Sequence, residues 1–137
     1  CGTGPDEAAL RALAVELGIA DRVEFAGFIA DPVPEYLAAT VLAQSSRWEG
    51  LPATVVEAIA CGCPVVTTAS SPALVDLVAE VGARDAVPVD DEAGFAAALA
   101  EALDGRLPVV PPDAMLPYEI ETALDEHATL FRALLTR

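Results

Sequence analysis

Two carboxylates on either side of a helix start are the residues of this sequence whose types and spacing suit chemistry. Glu49 lies in a polar loop after a predicted strand, and Glu57 follows eight residues later. Between them, Pro52 suits the first position of a predicted helix, so the backbone N–H groups of Ala53 and Thr54 point out of the helix end. Free amides and the positive end of the helix dipole favour a phosphate group there.

The spacing of the two acids predicts how they would be used around a bound diphosphate. Glu57 lies about 7 to 8 Å into the helix at 1.5 Å per residue, whereas Glu49 precedes the helix. Carboxylates accept several hydrogen bonds and donate none. Glu49 is therefore a candidate acceptor for sugar hydroxyls, and Glu57 for the diol of a ribose. The alternative, that both are solvated surface acids in a chain with 22 acidic residues, stays open at this point.

The elements that must position these groups are predicted from the hydropathy pattern and its Gly and Pro punctuation. Strands that alternate with helices form βαβ units with a parallel sheet and right-handed crossovers. The predicted fold class is therefore α/β, a Rossmann-like parallel sheet flanked by helices. Residues 104–116 are predicted to be an irregular connector. Strands are predicted at 23–26, 41–44, 64–67 and 86–89, and helices at 6–17, 32–39, 52–61, 72–80, 90–103 and 118–135.

Charge and hydropathy exclude several classes of function. The 137 residues carry a formal charge of −15, which repels nucleic acid and anionic lipid headgroups. No apolar run reaches the roughly 18 residues of a membrane span. We expect a cytoplasmic protein with no nucleic-acid partner and no direct membrane segment.

The cysteines do not indicate a disulfide framework or a metal site. Cys1, Cys61 and Cys63 are an odd number with irregular spacing, and the only histidine is His127. Because a closed zinc site needs four ligands, no metal and no cofactor are expected. The cysteines are interpreted as small packing residues, and His127 as structural or exposed.

The stretch SRWEGLPATVVEAIACGCPVV, residues 46–66 with Glu49-x7-Glu57, resembles the signature of family 4 retaining glycosyltransferases. Residues 1–40 are similar to the upstream part of the same donor domain, and the resemblance covers about residues 1–103. It implies the C-terminal half of a GT-B architecture. The implied reaction is transfer of a hexosyl group from a nucleotide-diphosphate sugar to an acceptor, with retention and without a metal.

The resemblance also implies roles for individual residues. Glu49 would be the catalytic residue, in contact with the hydroxyls of the donor sugar, and Glu57 would contact the ribose. Phe28 and Ile29 match a segment beside the nucleotide base, although Phe28 is equally well explained as a half-buried loop aromatic. The donor-binding set as a whole comprises Glu49, Gly50, Leu51, Ala53, Thr54 and Glu57.

The beginning of the chain and some departures from the family pattern determine which parts of such an enzyme we expect this polypeptide to contain. We expect residues 1–137 to be a single, N-terminally truncated nucleotide-sugar-binding domain, in which 104–137 form the connector and a C-terminal helix. The acceptor domain and a basic pair would precede Cys1, and Arg47 is the only basic residue beside the motif. The segment Ser70-Ser71-Pro72-Ala73 also departs from the Gly-Gly-x-Pro-Glu type of segment that the resemblance implies.

The chain alone is therefore expected to bind a nucleotide sugar weakly and to be inactive as a transferase. The alternatives are a non-catalytic nucleotide-sugar-binding module and a GT-B-like nucleotide-sugar epimerase.

Overall fold

A computed structural model describes residues 2–135, and the chain divides into two compact units, Cys1–Pro32 and Val33–Arg137. The prediction that the chain is a single domain stays a prediction. In the first unit, helix α1 spans Glu7–Glu16 and a short 3₁₀ turn spans Ala20–Arg22. Gly18 ends α1 at φ 66°, a backbone conformation that glycine adopts without strain. The predicted helix at 6–17 is confirmed to within one residue at each end.

The strand predicted at 23–26 is wrong. A strand needs a neighbour to pair its backbone N–H and C=O groups, and none of the described residues forms a ladder with this segment. Just beyond it, the backbone N–H of Gly2 donates to the carbonyl of Gly27 at 2.6 Å. Val23 is extended, at φ −115° and ψ 117°, but the segment has no strand partner in the part of the chain that the structure describes.

The sheet of the second unit is parallel, as predicted. Strand β1, Leu42–Gln44, pairs in register with strand β2, Val65–Thr67. The strand predicted at 86–89 is reduced to a single parallel bridge between Thr68 and Val87. Pro88 follows that bridge and has no N–H to extend the ladder.

Helices cover both faces of this sheet. Successive side chains of a strand point to opposite faces: Val65 joins the larger core cluster with residues of α3 and α4, whereas Val66 joins Val87 and Ala98 in a second cluster. This layering confirms the α/β class. The helices of the second unit ahead of its C-terminal segment are α2 Val33–Ala38, α3 Ala53–Ala60, α4 Pro72–Glu80 and α5 Glu92–Leu103.

The C-terminal segment differs from the predicted connector and helix. A 3₁₀ helix spans Pro112–Tyr118, Glu119 is extended at ψ 147°, and α6 spans Ile120–Leu135. Because Glu119 is extended, the predicted helix does not run continuously from 118, and α6 begins at Ile120. Within the described range, α6 buries none of its side chains, and no helix has both the length and the apolarity to cross a bilayer.

Candidate functional site

The loop between β1 and α3, residues 45–52, is tied to the segment that follows β2. Both segments leave the carboxyl ends of neighbouring parallel strands, which is where open α/β sheets place ligands. The hydrogen bonds hold the loop at three separate points along its length. They run from Glu49 N to Ser70 O at 3.2 Å, from Thr68 Oγ1 to Ser46 O, and from Ser71 Oγ to Gly50 O.

The carboxylate of Glu49 is oriented through one of its two oxygens. Oε1 accepts hydrogen bonds from Gln44 Nε2 at 3.0 Å and from Ser46 Oγ at 2.7 Å. Oε2 has no partner among residues 2–135, and the side chain is half-buried. Glu49 therefore presents one oxygen in a defined direction, which suits recognition of a hydroxyl group.

The beginning of α3 lies just beyond this carboxylate. Pro52 is the N-cap at ψ 115°, so the helix starts at Ala53, one residue later than predicted. The N–H groups of Val55 and Val56 donate to Pro52 O at 3.1 and 3.4 Å. The amides of Ala53 and Thr54 have no acceptor in the described part of the chain, which leaves them available to an anion.

Glu57 is exposed on α3, and its carboxylate is also anchored through one oxygen. Oε2 accepts a hydrogen bond from Tyr36 Oη at 3.0 Å. Burial, together with the hydrogen bond to Glu57 and its negative charge, raises the pKa of Tyr36 to about 12. The phenol is therefore protonated at neutral pH and is the donor in this bond. Glu57 Oε1 has no partner within residues 2–135.

Three side chains that hold the two carboxylates were not predicted from the sequence, namely Gln44, Ser46 and Tyr36. Gln44 and Ser46 come at and just after the end of β1, so their polarity at a strand's carboxyl end was a usable signal. Nothing in the spacing linked Tyr36 to Glu57, 21 residues later. In addition, Gln44 Oε1 and Ser70 Oγ are buried without a hydrogen-bond partner in the described chain. Since buried polar atoms are usually paired, this region has spare hydrogen-bonding capacity.

The other predicted site residues are placed as follows. Gly50 and Leu51 are exposed in the loop between Glu49 and α3. Phe28 and Ile29 belong to the first unit. Phe28 is 80% exposed, so its interpretation as a half-buried loop aromatic is wrong, whereas Ile29 is half-buried.

Arg47, the basic residue beside the motif, is paired with an acid of a different loop. Its Nε lies 2.8 Å from Asp90 Oδ1, and both side chains are largely exposed. Asp90 has φ 65°, a left-handed conformation that aspartate tolerates better than most residues. In this structure the guanidinium is therefore engaged at Asp90.

The remaining candidates for chemistry are the cysteines and the histidine. Cys61 is half-buried and Cys63 is buried, both as free thiols. His127 is exposed on α6, with Nδ1 at 2.7 Å from Ala123 O. Among the described residues, no three His, Cys, Asp or Glu side chains form a group that could hold a metal ion. Cys1 lies outside the described residues.

Three relatives share part of this sequence. The chain is 41% identical over 69 residues to the lipopolysaccharide core biosynthesis glycosyltransferase LpsE of Rhizobium meliloti, covering 50% of this chain and 20% of that protein. It is 38% identical over 77 residues to an uncharacterized glycosyltransferase of Haemophilus influenzae, and the match covers 56% of this chain and 22% of that protein. It is 32% identical over 108 residues to the putative colanic acid biosynthesis glycosyltransferase WcaL of Salmonella typhimurium, and the match covers 73% of this chain and 26% of that protein.

These matches span about a quarter or less of each relative's length. The family model described as glycosyl transferases group 1 matches residues 1–116 of the 137. That stretch includes the loop 45–52, all of α3 and both anchored carboxylates. The chain therefore belongs to the glycosyl transferases group 1 family, whose model describes the C-terminal domain of the GT-B architecture.

Proposed function

We propose that this chain is the donor-binding domain of a retaining, family 4-like glycosyltransferase that transfers a hexosyl group from a nucleotide-diphosphate sugar. The observation that carries the proposal is the state of the two carboxylates. Glu49 and Glu57 are each anchored through one oxygen and have the other unpaired, and the free amides of Ala53 and Thr54 lie between them in sequence. Such an arrangement offers acceptors for hydroxyls before and after an anion-binding helix end.

In this proposal the diphosphate occupies the N-terminal end of α3. The amides of Ala53 and Thr54 and the backbone at Gly50 and Leu51 hold its oxygens, and the helix dipole favours its charge. As the bond to the sugar breaks, negative charge grows on the leaving diphosphate. Donors that already point at that position stabilise the charge without reorganising. The proposed reaction uses these donors, with no metal and no cofactor.

Glu49 and Glu57 have separate tasks in the proposed complex. The half-buried Glu49 uses Oε2 to accept hydrogen bonds from hydroxyls of the donor sugar, which orients the ring for transfer. The exposed Glu57 uses Oε1 to accept hydrogen bonds from the ribose. Phe28 and Ile29 of the first unit are the proposed neighbours of the base.

The acceptor is proposed to bind outside this chain. Two relatives are named for the biosynthesis of lipopolysaccharide core and of colanic acid. We propose a glycan acceptor for the protein to which this domain belongs, held by an additional N-terminal domain. That domain would also supply basic side chains for the diphosphate, because Arg47 is engaged by Asp90. The 137-residue chain by itself should bind the donor weakly and should not transfer sugar.

Calorimetric titration of the chain with UDP, GDP and their sugar conjugates tests this proposal. We expect one nucleotide to bind and Glu57→Ala to weaken its affinity by at least about tenfold, since a hydrogen bond to a charged group contributes about 1.5–3 kcal/mol. Glu80→Ala is the matched control, because Glu80 is also a helical glutamate that accepts a hydrogen bond from a tyrosine, Tyr118, at 2.7 Å.

Three outcomes would contradict the proposal or part of it. An equal loss of nucleotide affinity in Glu57→Ala and Glu80→Ala would show a general effect on the fold and not the loss of a binding contact at Glu57. Absence of binding to every nucleotide would reject donor binding by this chain. Sugar epimerisation without transfer, detected by product analysis of the conjugates, would replace the transferase with an epimerase.

A further inference from the structure

We propose that Tyr36 is a positioning residue for Glu57, and that the two side chains recognise the ribose of the donor as one unit. The inference rests on the proposed function, in which Glu57 contacts the ribose. Nothing in the spacing of the motif includes Tyr36, which lies in α2, 21 residues before Glu57. Its role follows from burial and from one contact.

Glu57 needs an external constraint to act as a directional acceptor. It is exposed on α3, and a glutamate side chain has several rotatable bonds whose freedom is costly to lose. If the carboxylate sampled its rotamers freely, each bound nucleotide would have to order it. The hydrogen bond from Tyr36 Oη holds Oε2 at 3.0 Å and leaves Oε1 to face a ligand.

Tyr36 can supply that constraint because its own position is set by packing. The side chain is 7% exposed and belongs to the larger core cluster, together with Val55 and Ile59 of α3. Val55 and Ile59 lie two residues before and after Glu57 on the same helix. Helices α2 and α3 contact each other, so the buried ring is held next to the helix whose carboxylate its hydroxyl anchors.

The direction of the hydrogen bond is also defined. A phenol is protonated throughout the neutral range, and the raised pKa of Tyr36 extends that range, so its hydroxyl donates to the carboxylate. A ribose hydroxyl then donates to Oε1. This order of donors and acceptors assigns each oxygen of Glu57 one partner.

The same kind of pair occurs a second time in the unit and provides a control. Tyr118 Oη donates to Glu80 Oε2 at 2.7 Å, and Glu80 is the last residue of α4. Ser71, whose hydroxyl contacts the loop at Gly50, lies at the opposite end of that helix. At 1.5 Å per residue, Glu80 is about 13 Å along the helix from Ser71. Tyr118→Phe therefore removes an equivalent hydrogen bond away from the loop.

The test compares the affinities of UDP and GDP with those of their 2′-deoxy and 3′-deoxy forms. Trp48, the only tryptophan and next to Glu49, serves as the fluorescence reporter, and calorimetry provides an independent measure. We expect Tyr36→Phe, which keeps the buried ring, to weaken the ribonucleotide that binds about fivefold to tenfold, equivalent to about 1 to 1.4 kcal/mol. The affinity of the deoxy form that lacks the contacted hydroxyl should change less than twofold.

Two further variants separate positioning from a loss of fold. In a Glu57→Ala background, Tyr36→Phe should have no additional effect, because the residue that it positions is gone. Tyr118→Phe should bind like the wild type. Thermal melts of all variants establish that each is folded at the temperature of the titrations.

The possible failures can be told apart. If Glu57→Ala weakens the ribonucleotide but Tyr36→Phe does not, the positioning role is rejected and the donor site stands. If Tyr36→Phe weakens ribo and deoxy forms equally, Tyr36 acts only through the fold, which also rejects the inference. If the wild type binds no nucleotide, or Glu57→Ala changes nothing, the proposed function fails and the inference fails with it.

Discussion

The hydroxyl of Ser71 donates a hydrogen bond to the carbonyl of Gly50 and accepts one from the backbone N–H of Leu74 at 3.1 Å. One side chain thereby caps α4 and holds the loop that carries Glu49. The serine at this position contacts the loop directly. The segment after β2 is thus part of the framework of the candidate site.

Substitutions of Ser71 should separate its two tasks. Ser71→Ala removes both hydrogen bonds, and loss of an N-cap costs about 1 kcal/mol of unfolding free energy. Ser71→Asp keeps an N-cap acceptor but cannot donate to Gly50 O. We expect urea denaturation to show a lower unfolding free energy for Ser71→Ala and little change for Ser71→Asp. Calorimetry should show weaker nucleotide binding for both variants. An Asp variant that binds like the wild type would show that the contact with Gly50 is dispensable.

Ser46→Ala should affect the sugar and not the nucleotide. The change removes the 2.7 Å hydrogen bond to Glu49 Oε1 and leaves only the one from Gln44. Glu49 then orients less well, so the affinity for the nucleotide sugar should fall by up to about tenfold, the equivalent of about 1.4 kcal/mol. The affinity for the plain nucleoside diphosphate should be unchanged, as titration of both ligands will show. Ser45→Ala, at the exposed neighbouring position, is the matched control.

The two tyrosines should make the fold sensitive to high pH. Burial chiefly raises the pKa of Tyr36, and the hydrogen bond to Glu80 chiefly raises that of Tyr118, in both cases from 10.0 to about 12. Because the unfolded chain releases these protons at lower pH, their stabilising effect is complete below pH 10 and is lost as pH rises towards about 12.

Ultraviolet titration of phenolate absorbance measures this directly. The wild type should titrate near pH 12 rather than 10 while it stays folded, and Tyr36→Phe should halve the amplitude, because the chain has two tyrosines. Unfolding curves measured at pH 9 and at pH 11 should show lower stability at the higher value. Titration of both phenols near pH 10 in the folded chain would contradict the burial of Tyr36 and the hydrogen bond of Tyr118.

Leu74 should be among the residues that the core of the second unit depends on most. Its side chain is 0% exposed in α4, whereas Leu103 at the end of α5 is 69% exposed. Leu74→Ala leaves a cavity and should cost about 2–5 kcal/mol. The same change at Leu103 should stay within about 0.5 kcal/mol. Chemical denaturation measures the unfolding free energy of both variants. An equal decrease in the two would contradict the burial of Leu74.

Elements whose signals are local were predicted closely. Gly18 ends α1 and Ser71 caps α4, so both helices agree with prediction to within a residue. The strand predicted at 64–67 is present as β2, and its Val65 and Val66 side chains join separate clusters. The helix start between Glu49 and Glu57 was also predicted to within one residue, because Pro52 is a local signal.

The tertiary structure determined which of the predicted strands pair with a neighbour and which side chains form hydrogen bonds. The segment 23–26 has strand-forming residues but no ladder, and 86–89 keeps one bridge, because pairing depends on a neighbour from elsewhere in the chain. The anchoring of Glu57 by Tyr36 likewise depends on how α2 packs against α3. By itself the sequence determined the α/β class and the order of the two carboxylates around the helix start. Their orientation was decided by contacts between separate segments, because a hydrogen bond depends on distance in space and local spacing does not encode it.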